Sequence, residues 1–278
     1  MPGDPRPIGV FDSGMGGLTV LKALAARLPN ERFVYLGDTA RLPYGTKSAE
    51  TVQAYALQAT RLLLDQDVKM LVIACNTASA VAVELLQQAC APIPVIGVIE
   101  PGARAGVAAT SNRRIAVIAT EGTVRGGAYA CAIRRLMSDA EVVQQPCQVF
   151  VALAEEGWAD APTTRAAAQH YLATLFESAS PPDTLVLGCT HFPVLADAIR
   201  AVIGGRVALV DSAETTAGAV AEALTGAGLA SAAEAREGAP VRFFATDSPE
   251  RFARVGAIFL GRAIDPAAVT LVDLRTFA

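Results

Sequence analysis

The chain has 278 residues, of which 52% are hydrophobic and 18% charged, with a formal net charge of −4. That composition suits one large domain or two small ones with a sizeable core, and excludes a disordered chain. The acidic balance argues against nucleic-acid or anionic-membrane binding through a basic face, no apolar stretch is long enough to span a membrane, and the proline-broken start from Met1 to Pro7 has no signal-peptide core.

Short apolar runs alternate with longer helical patterns, which predicts parallel sheet with helices on both faces. The first strand, Ile8–Phe11, runs into the turn Asp12-Ser13-Gly14-Met15-Gly16-Gly17 ahead of a helix over Leu18–Arg27. A strand, a glycine-rich turn and a helix invite a phosphate-binding reading. The spacing matches neither GxGxxG nor GK[ST], so a dinucleotide fingerprint and a P-loop are absent. The glycines would instead bring backbone N–H groups and the Asp12 carboxylate close to a small ligand, or form a plain tight turn capped by Asp12.

The second strand, Phe33–Leu36, leads into Gly37-Asp38-Thr39-Ala40-Arg41-Leu42-Pro43-Tyr44-Gly45. Tyr44 and Gly45 there could offer an O–H and an N–H to an anion, or belong to an ordinary proline–glycine loop. A helix over Ala49–Leu64 precedes the third strand, Met70–Ala74, which ends at Cys75; Asn76 and Thr77 follow, then a helix over Ala78–Cys90 and a strand over Val95–Ile99. A second set of strands comprises Ile115–Ala119, Glu141–Val143, Leu185–Gly188 and Val207–Val210, with helices over Thr164–Phe176 and Val194–Ile203. Cys189, Thr190 and His191 follow the third of these strands. A last strand, Val241–Ala245, and a helix over Pro249–Leu260 close the pattern.

The two sets align. Ile8 to Ser13 lies on Ile115 to Thr120, Met70 to Thr77 on Thr184 to His191, and Val95 to Glu100 on Arg206 to Asp211, at offsets of 107, 114 and 111 residues. Three strands in one order, with a cysteine ending each third strand, point to internal duplication. The expected fold is therefore α/β: two pseudo-symmetric lobes, each a mostly parallel sheet flanked by helices, with the active site between them. Residues 1–98 plus 209–278 form the first lobe and residues 99–208 the second. Ligands of open α/β sheets bind beyond the carboxyl ends of the strands, so facing lobes share one cleft.

Five cysteines form no CxxC pair, which speaks against a zinc knuckle or a disulfide framework and for a reducing, cytoplasmic setting. Cys75 and Cys189 sit at strand-to-helix junctions, where a helix amino terminus lowers a thiol's pKa towards neutrality. A lone cysteine there is commonly a small core hydrophobe, but two at equivalent places favour chemistry. Cys90, Cys131 and Cys147 lack that setting and read as structural. His191, one of two histidines, can hold a proton beside Cys189 or raise its thiolate population; His170 reads as a surface residue. The three lysines, Lys22, Lys47 and Lys69, do not follow strand ends, which makes pyridoxal chemistry improbable.

Val10-Phe-Asp-Ser-Gly-Met-Gly-Gly-Leu-Thr-Val20, Arg41-Leu-Pro-Tyr-Gly45, Ala74-Cys-Asn-Thr-Ala-Ser79, Leu187-Gly-Cys-Thr-His-Phe-Pro193 and Asp211-Ser-Ala213 resemble the motifs of glutamate racemases, within the cofactor-independent aspartate/glutamate racemase family. The resemblance spans nearly the whole chain. It implies interconversion of L- and D-glutamate, supplying D-glutamate for peptidoglycan synthesis, with Cys75 and Cys189 as opposed bases and the lobe-one cysteine usually taking the D-substrate's proton. By match, Asp12, Ser13, Tyr44, Gly45, Asn76, Thr77, Thr190 and His191 contact or organise substrate, and Asp12 and His191 tune the thiols. Thr120 and Thr123 resemble a pair that binds the substrate carboxylate, and Glu155 matches a glutamate near the cleft. The resemblance implies no cofactor and no metal. Its only implied partner is the small-molecule substrate, with no nucleic acid and no membrane, and a homodimer is left open. Rival readings are an aspartate or hydantoin racemase of the same group, and a protein that binds an amino acid or a partner in the cleft without turnover.

Overall fold

The computed structural model describes residues 3–233 and 239–277. Strands β1 (Ile8–Asp12), β2 (Phe33–Gly37) and β3 (Met70–Ile73) are buried at every position. This is what their continuous rather than alternating apolar runs require of a sheet covered on both faces. Successive side chains leave opposite faces: Ile8, Val10, Tyr35 and Val72 join one apolar cluster, and Phe11, Val34, Leu36, Leu71 and Ile73 join another. With β4 (Val95–Gly97) they form the centre and one edge of the first sheet. Strands β5 (Arg114–Ala119), β6 (Glu141–Pro146), β7 (Thr184–Gly188) and β8 (Ala208–Asp211) form the second sheet. Strands β9 (Val241–Ala245) and β10 (Val269–Leu271) return to the first sheet beside β2.

Among the described residues the sheet orders are β10-β9-β2-β1-β3-β4 and β6-β5-β7-β8, and all pairings are parallel. The run β2-β1-β3-β4 has the connectivity of β6-β5-β7-β8, so β1 corresponds to β5 and β3 to β7. Cys75 and Cys189 thus leave equivalent strands in the two sheets. The expected boundary at residue 208 falls inside β8. That strand runs to Asp211 because Leu209 to Asp211 complete the ladder with β7.

Helices α1 (Leu18–Arg27), α2 (Ala49–Leu64), α3 (Asn76–Ala89) and α4 (Ile99–Ala109) follow the first four strands. Helices α5 (Glu121–Gly126), α6 (Ala128–Leu136), α7 (Val149–Glu155), α8 (Pro162–Phe176) and α9 (Ala196–Ile203) belong to the second set. The α9 segment starts later than its sequence pattern predicts, because Phe192–Leu195 form a 3₁₀ turn with Pro193 inside it. Helix α10 (Ser212–Gly226) packs on α1 of the first set and on α4, and α11 (Pro249–Leu260) packs on α1. One apolar cluster therefore runs from Ile8 and Val10 through Val98 and Ala103 to Ile115 and Leu185, tying the two sheets into one body.

Lys69, ahead of β3, is fully buried, and its Nζ donates to the carbonyls of Asp4 and Leu229 and pairs with Glu31 at 2.6 Å. Replacing Lys69 by methionine leaves a buried carboxylate without its cation. The expected loss is about 3–5 kcal/mol of unfolding free energy, read from the urea midpoint. An unchanged midpoint would show that the pair is dispensable.

Candidate active site

Both cysteines are set by the start of a local turn. Cys75 caps α3: its Sγ accepts from the N–H of Ala78 at 3.5 Å and lies 3.5 Å from Ser13 Oγ. Helix α3 therefore starts at Asn76, directly after the thiol. Cys189 ends β7, and its Sγ is 3.8 Å from His191 Nδ1. Each cysteine is 5% exposed.

The lobes meet where the strands end. A side chain on Gly16 would put its Cβ 2.4 Å from the His191 ring and 2.5 Å from Thr190 Oγ1, so only glycine lets the two turns approach this closely. Thr19 Oγ1 donates across the same junction to the carbonyl of Thr190 at 3.0 Å. On the other flank, Gly45 packs against the Thr120 side chain and Gly122 against the carbonyl of Gly45. The hydroxyls of Thr77, Thr120 and Thr123 form a closed triangle with edges of 3.0, 3.2 and 3.0 Å. Thr77 comes from the first lobe and its partners from the second. The sequence motifs thus converge on one buried place. A separate cavity of about 1070 Å³, edged by Glu84, Arg104, Cys131, Arg135 and Glu222, contains none of the thiol-bearing turns.

Electrostatics distinguish the groups. Burial raises the Asp12 pKa against the lowering effect of His191 and of backbone N–H groups, among them that of Gly14, which donates to Oδ2 at 2.9 Å. Burial, with the Asp12 charge behind it, pushes the Cys75 thiol up to about 12. This corrects the expectation of a thiol lowered by its helix terminus: one N–H at 3.5 Å from Sγ does not offset complete desolvation beside a carboxylate. Among the groups that raise the Cys75 thiol, Cys189 contributes least. Burial works against the His191 cation, yet hydrogen bonds to Cys189 and Glu155 and the charges of Cys189 and Asp12 raise it to about 10. Glu155 resists burial and is held below its ordinary value by His191 and Arg251.

Of the buried side-chain atoms left without a hydrogen-bond partner among the described residues, two belong to the thiol-bearing turns and their neighbours: Asp12 Oδ1 and Asn76 Nδ2. An unsatisfied buried polar atom costs about 1–3 kcal/mol, so an acceptor and a donor are left for a polar ligand. The Asn76 Oδ1 atom accepts from the Tyr129 hydroxyl of α6 at 2.8 Å, which orients the amide. Tyr44 departs from its expected role. Its hydroxyl donates to Asp38 Oδ2, and the ring is buried between Phe11 and Tyr55. It braces the loop and does not present a free O–H to an anion. Asp38 also accepts from Arg41 and Thr246, so it fixes the loop from three sides. Sequence reasoning missed Tyr129 and Arg251, because their partners lie far away in the chain, and Asp38, because the order of residues does not tell that its loop folds back onto it. Cys90 and Cys147 are buried and Cys131 is exposed. Among the described residues no group of three or more His, Cys, Asp or Glu side chains is gathered to hold a metal.

The Asp/Glu/Hydantoin racemase family model matches residues 8–220. The glutamate racemase of Geobacter metallireducens is 53% identical over 256 residues, 92% of this chain and 93% of that protein. The crystal structure of glutamate racemase from Francisella tularensis in complex with D-glutamate has a TM-score of 0.88 at 37% identity, covering 98% of this chain and 99% of that one. The Thermus thermophilus glutamate racemase, in complex with β-chloro-D-alanine, has a TM-score of 0.84 at 43% identity over the same shares.

Proposed function

The chain belongs to the Asp/Glu/Hydantoin racemase family, and on that footing we propose that it interconverts L- and D-glutamate with Cys75 and Cys189 as two opposed bases. The observation that carries this reading is the pair of buried thiols at equivalent strand ends of two sheets, whose flanking turns meet at Gly16 and His191 and at the hydroxyls of Thr77 and Thr120. Inverting an α-carbon takes a proton from one face and returns one to the other. A single base would have to cross the plane, whereas two opposed thiols need not.

The substrate lies between the sulfurs, each about 3.5 Å from the α-carbon in a near-attack arrangement. Its ammonium donates to Asp12 Oδ1, the acceptor left over by the fold, and its carboxylate takes the Asn76 N–H and the threonine hydroxyls of Thr77, Thr120 and Thr123. Ser13 and Thr190 line the two turns, and Gly45 closes the threonine side. One sulfur, as thiolate, takes the α-proton, and the C–H electron pair stays on the carbon. The hydrogen-bond donors around the carboxylate stabilise that charge as it develops. The opposite thiol then gives its proton to the other face and becomes the thiolate, so the enzyme ends with the two states exchanged. His191, held by Glu155, keeps a proton beside Cys189 for this exchange.

The product serves peptidoglycan synthesis, and the five free cysteines support action in the cytoplasm. Among the described residues no helix is long and apolar enough to cross a membrane. The test is loss of the circular-dichroism signal of D-glutamate, with D-aspartate and a chiral hydantoin run alongside. Turnover of either alternative in preference to glutamate reassigns the substrate, and no turnover of any leaves a binding protein.

Turnover is expected to survive dialysis against a chelator and against hydroxylamine. Of the three lysines, Lys69 is buried in its pair with Glu31, and neither Lys22 nor Lys47 joins the hydrogen bonds at the thiols. Restoration of lost activity by pyridoxal phosphate or a divalent metal would overturn this mechanism.

A further inference from the structure

Arg251 stands near the start of α11, beyond residue 220 where the family-model match ends. Its guanidinium donates to Glu155 Oε2 at 2.7 Å, while Glu155 Oε1 lies 3.2 Å from His191 Nε2. His191 Nδ1 in turn lies 3.8 Å from the Cys189 sulfur. The same helix reaches the ring a second time: Phe259 packs edge-on against His191, with centroids 4.9 Å apart and an interplanar angle of 74°. The groups that face His191 are Cys189 and the Thr190 hydroxyl, 3.4 Å from Nδ1, on its own turn, Asp12 from the end of β1 and Glu155 from α7. Those that face Glu155 are His191 and Arg251.

We propose that Arg251 is a positioning residue for the Cys189 half of the site, anchoring one oxygen of Glu155 so that the other holds the Nε2–H of His191. The proposal rests on the reading of Cys189 as a base. Glu155 is the last residue of α7, and a free glutamate there keeps several rotatable bonds. With Oε2 tied to a guanidinium, Oε1 has one place to go. That fixes the ring with Nε2 as donor and turns Nδ1 to the sulfur. Nδ1 then accepts from the thiol when neutral and donates to the thiolate when cationic. Phe259 sets the plane of the ring and Arg251 sets its far end. The Arg251 side chain is 41% exposed, so as a surface pair the contact contributes little to stability, and its substitution leaves the fold in place.

The experiment compares Arg251→Gln, Arg251→Lys, Glu155→Gln and the double variant Glu155→Gln/Arg251→Gln. Arg251→Gln is expected to lower kcat about tenfold, with KM changed by less than about twofold, as when the outer hydrogen-bond partner of a working histidine is lost. Arg251→Lys, which still donates to Oε2, is expected to recover most of the rate. In the Glu155→Gln background the Arg251→Gln change is expected to cost nothing further, because it acts through that carboxylate. A merely structural role would persist there. The second readout is the Nε2–H signal of His191 in histidine-labelled protein, with His170 as the internal reference. It is expected to be visible in the parent and in Arg251→Lys, and lost to solvent exchange in Arg251→Gln. An unchanged signal in Arg251→Gln, or a rate loss that persists in the Glu155→Gln background, overturns the proposal. If the parent chain does not racemise glutamate, the functional reading fails, while the His191 signal still decides the role of Arg251.

Discussion

Cys75→Ala and Cys189→Ala are each expected to abolish inversion in both directions, by about 10³-fold or more, while the fold persists. Proton transfer by one positioned group contributes about 10²–10⁴-fold, and here each direction uses both groups, one to take the proton and one to give it. The equivalent positions of the cysteines after β3 and β7 make neither dispensable. Alanine differs from cysteine by one sulfur, and both sites lie at the lobe junction, so thermal melting should stay cooperative. The two-base arrangement also predicts what survives. With Cys189 removed, Cys75 can still take a proton and return one to the same face. In deuterated water that variant should exchange the α-hydrogen of one enantiomer without inverting it, and Cys75→Ala should do so for the other. Mass spectrometry reads the exchange and circular dichroism the inversion. Retention of more than a few per cent of the parent rate by either alanine variant sinks the assignment.

Much of this arrangement was legible in the sequence because the informative residues are local. A strand, a cysteine and a helix start occupy consecutive positions at Cys75, and a strand end, a cysteine and a histidine do so at Cys189. The match of Ile8 and Met70 to Ile115 and Thr184 anticipates sheets in which β1 corresponds to β5 and β3 to β7. What escaped depends on residues far apart in the chain. Arg251 meets Glu155 across 96 positions, and Tyr129 meets Asn76 across 53; neither pair has a spacing that a motif could encode. The Tyr44 hydroxyl was misread for a different reason. Its acceptor, Asp38, is only six positions away, yet nothing in the order of residues tells whether a loop folds onto itself or opens to a ligand. The state of the Cys75 thiol was misjudged because a helix terminus can be read from sequence, while the depth of burial cannot.

Burial decides the remaining large effect, which is pH dependence. The enantiomers of glutamate have equal free energy in water, so the equilibrium constant is one and kcat/KM must be the same in both directions at every pH. Asymmetry between the cysteines can appear only in kcat and KM taken separately. The shared profile should be a bell, because the working enzyme needs one thiolate and one thiol with a proton held beside Cys189: the rising limb belongs to the thiols and the falling limb to His191. Cys75 is pushed up to about 12 by burial and by Asp12. Below that value its thiolate fraction grows about tenfold with each pH unit, so activity should climb from neutral pH into the alkaline range. His191 opposes the climb. Although burial disfavours its cation, Cys189 and Glu155 hold its pKa at about 10. Its charge is therefore present below that pH and lost above it, and with it goes a donor beside Cys189. The rate should turn down there. Two variants check the signs. Asp12→Asn removes the charge that lifts Cys75 and should move the rising limb to lower pH, even as overall turnover drops. His191→Asn should shift or erase the falling limb and leave the rising one where it was. A profile flat from about pH 6 to 9, or a rising limb unmoved in Asp12→Asn, would mean that the thiol pair does not set the rate.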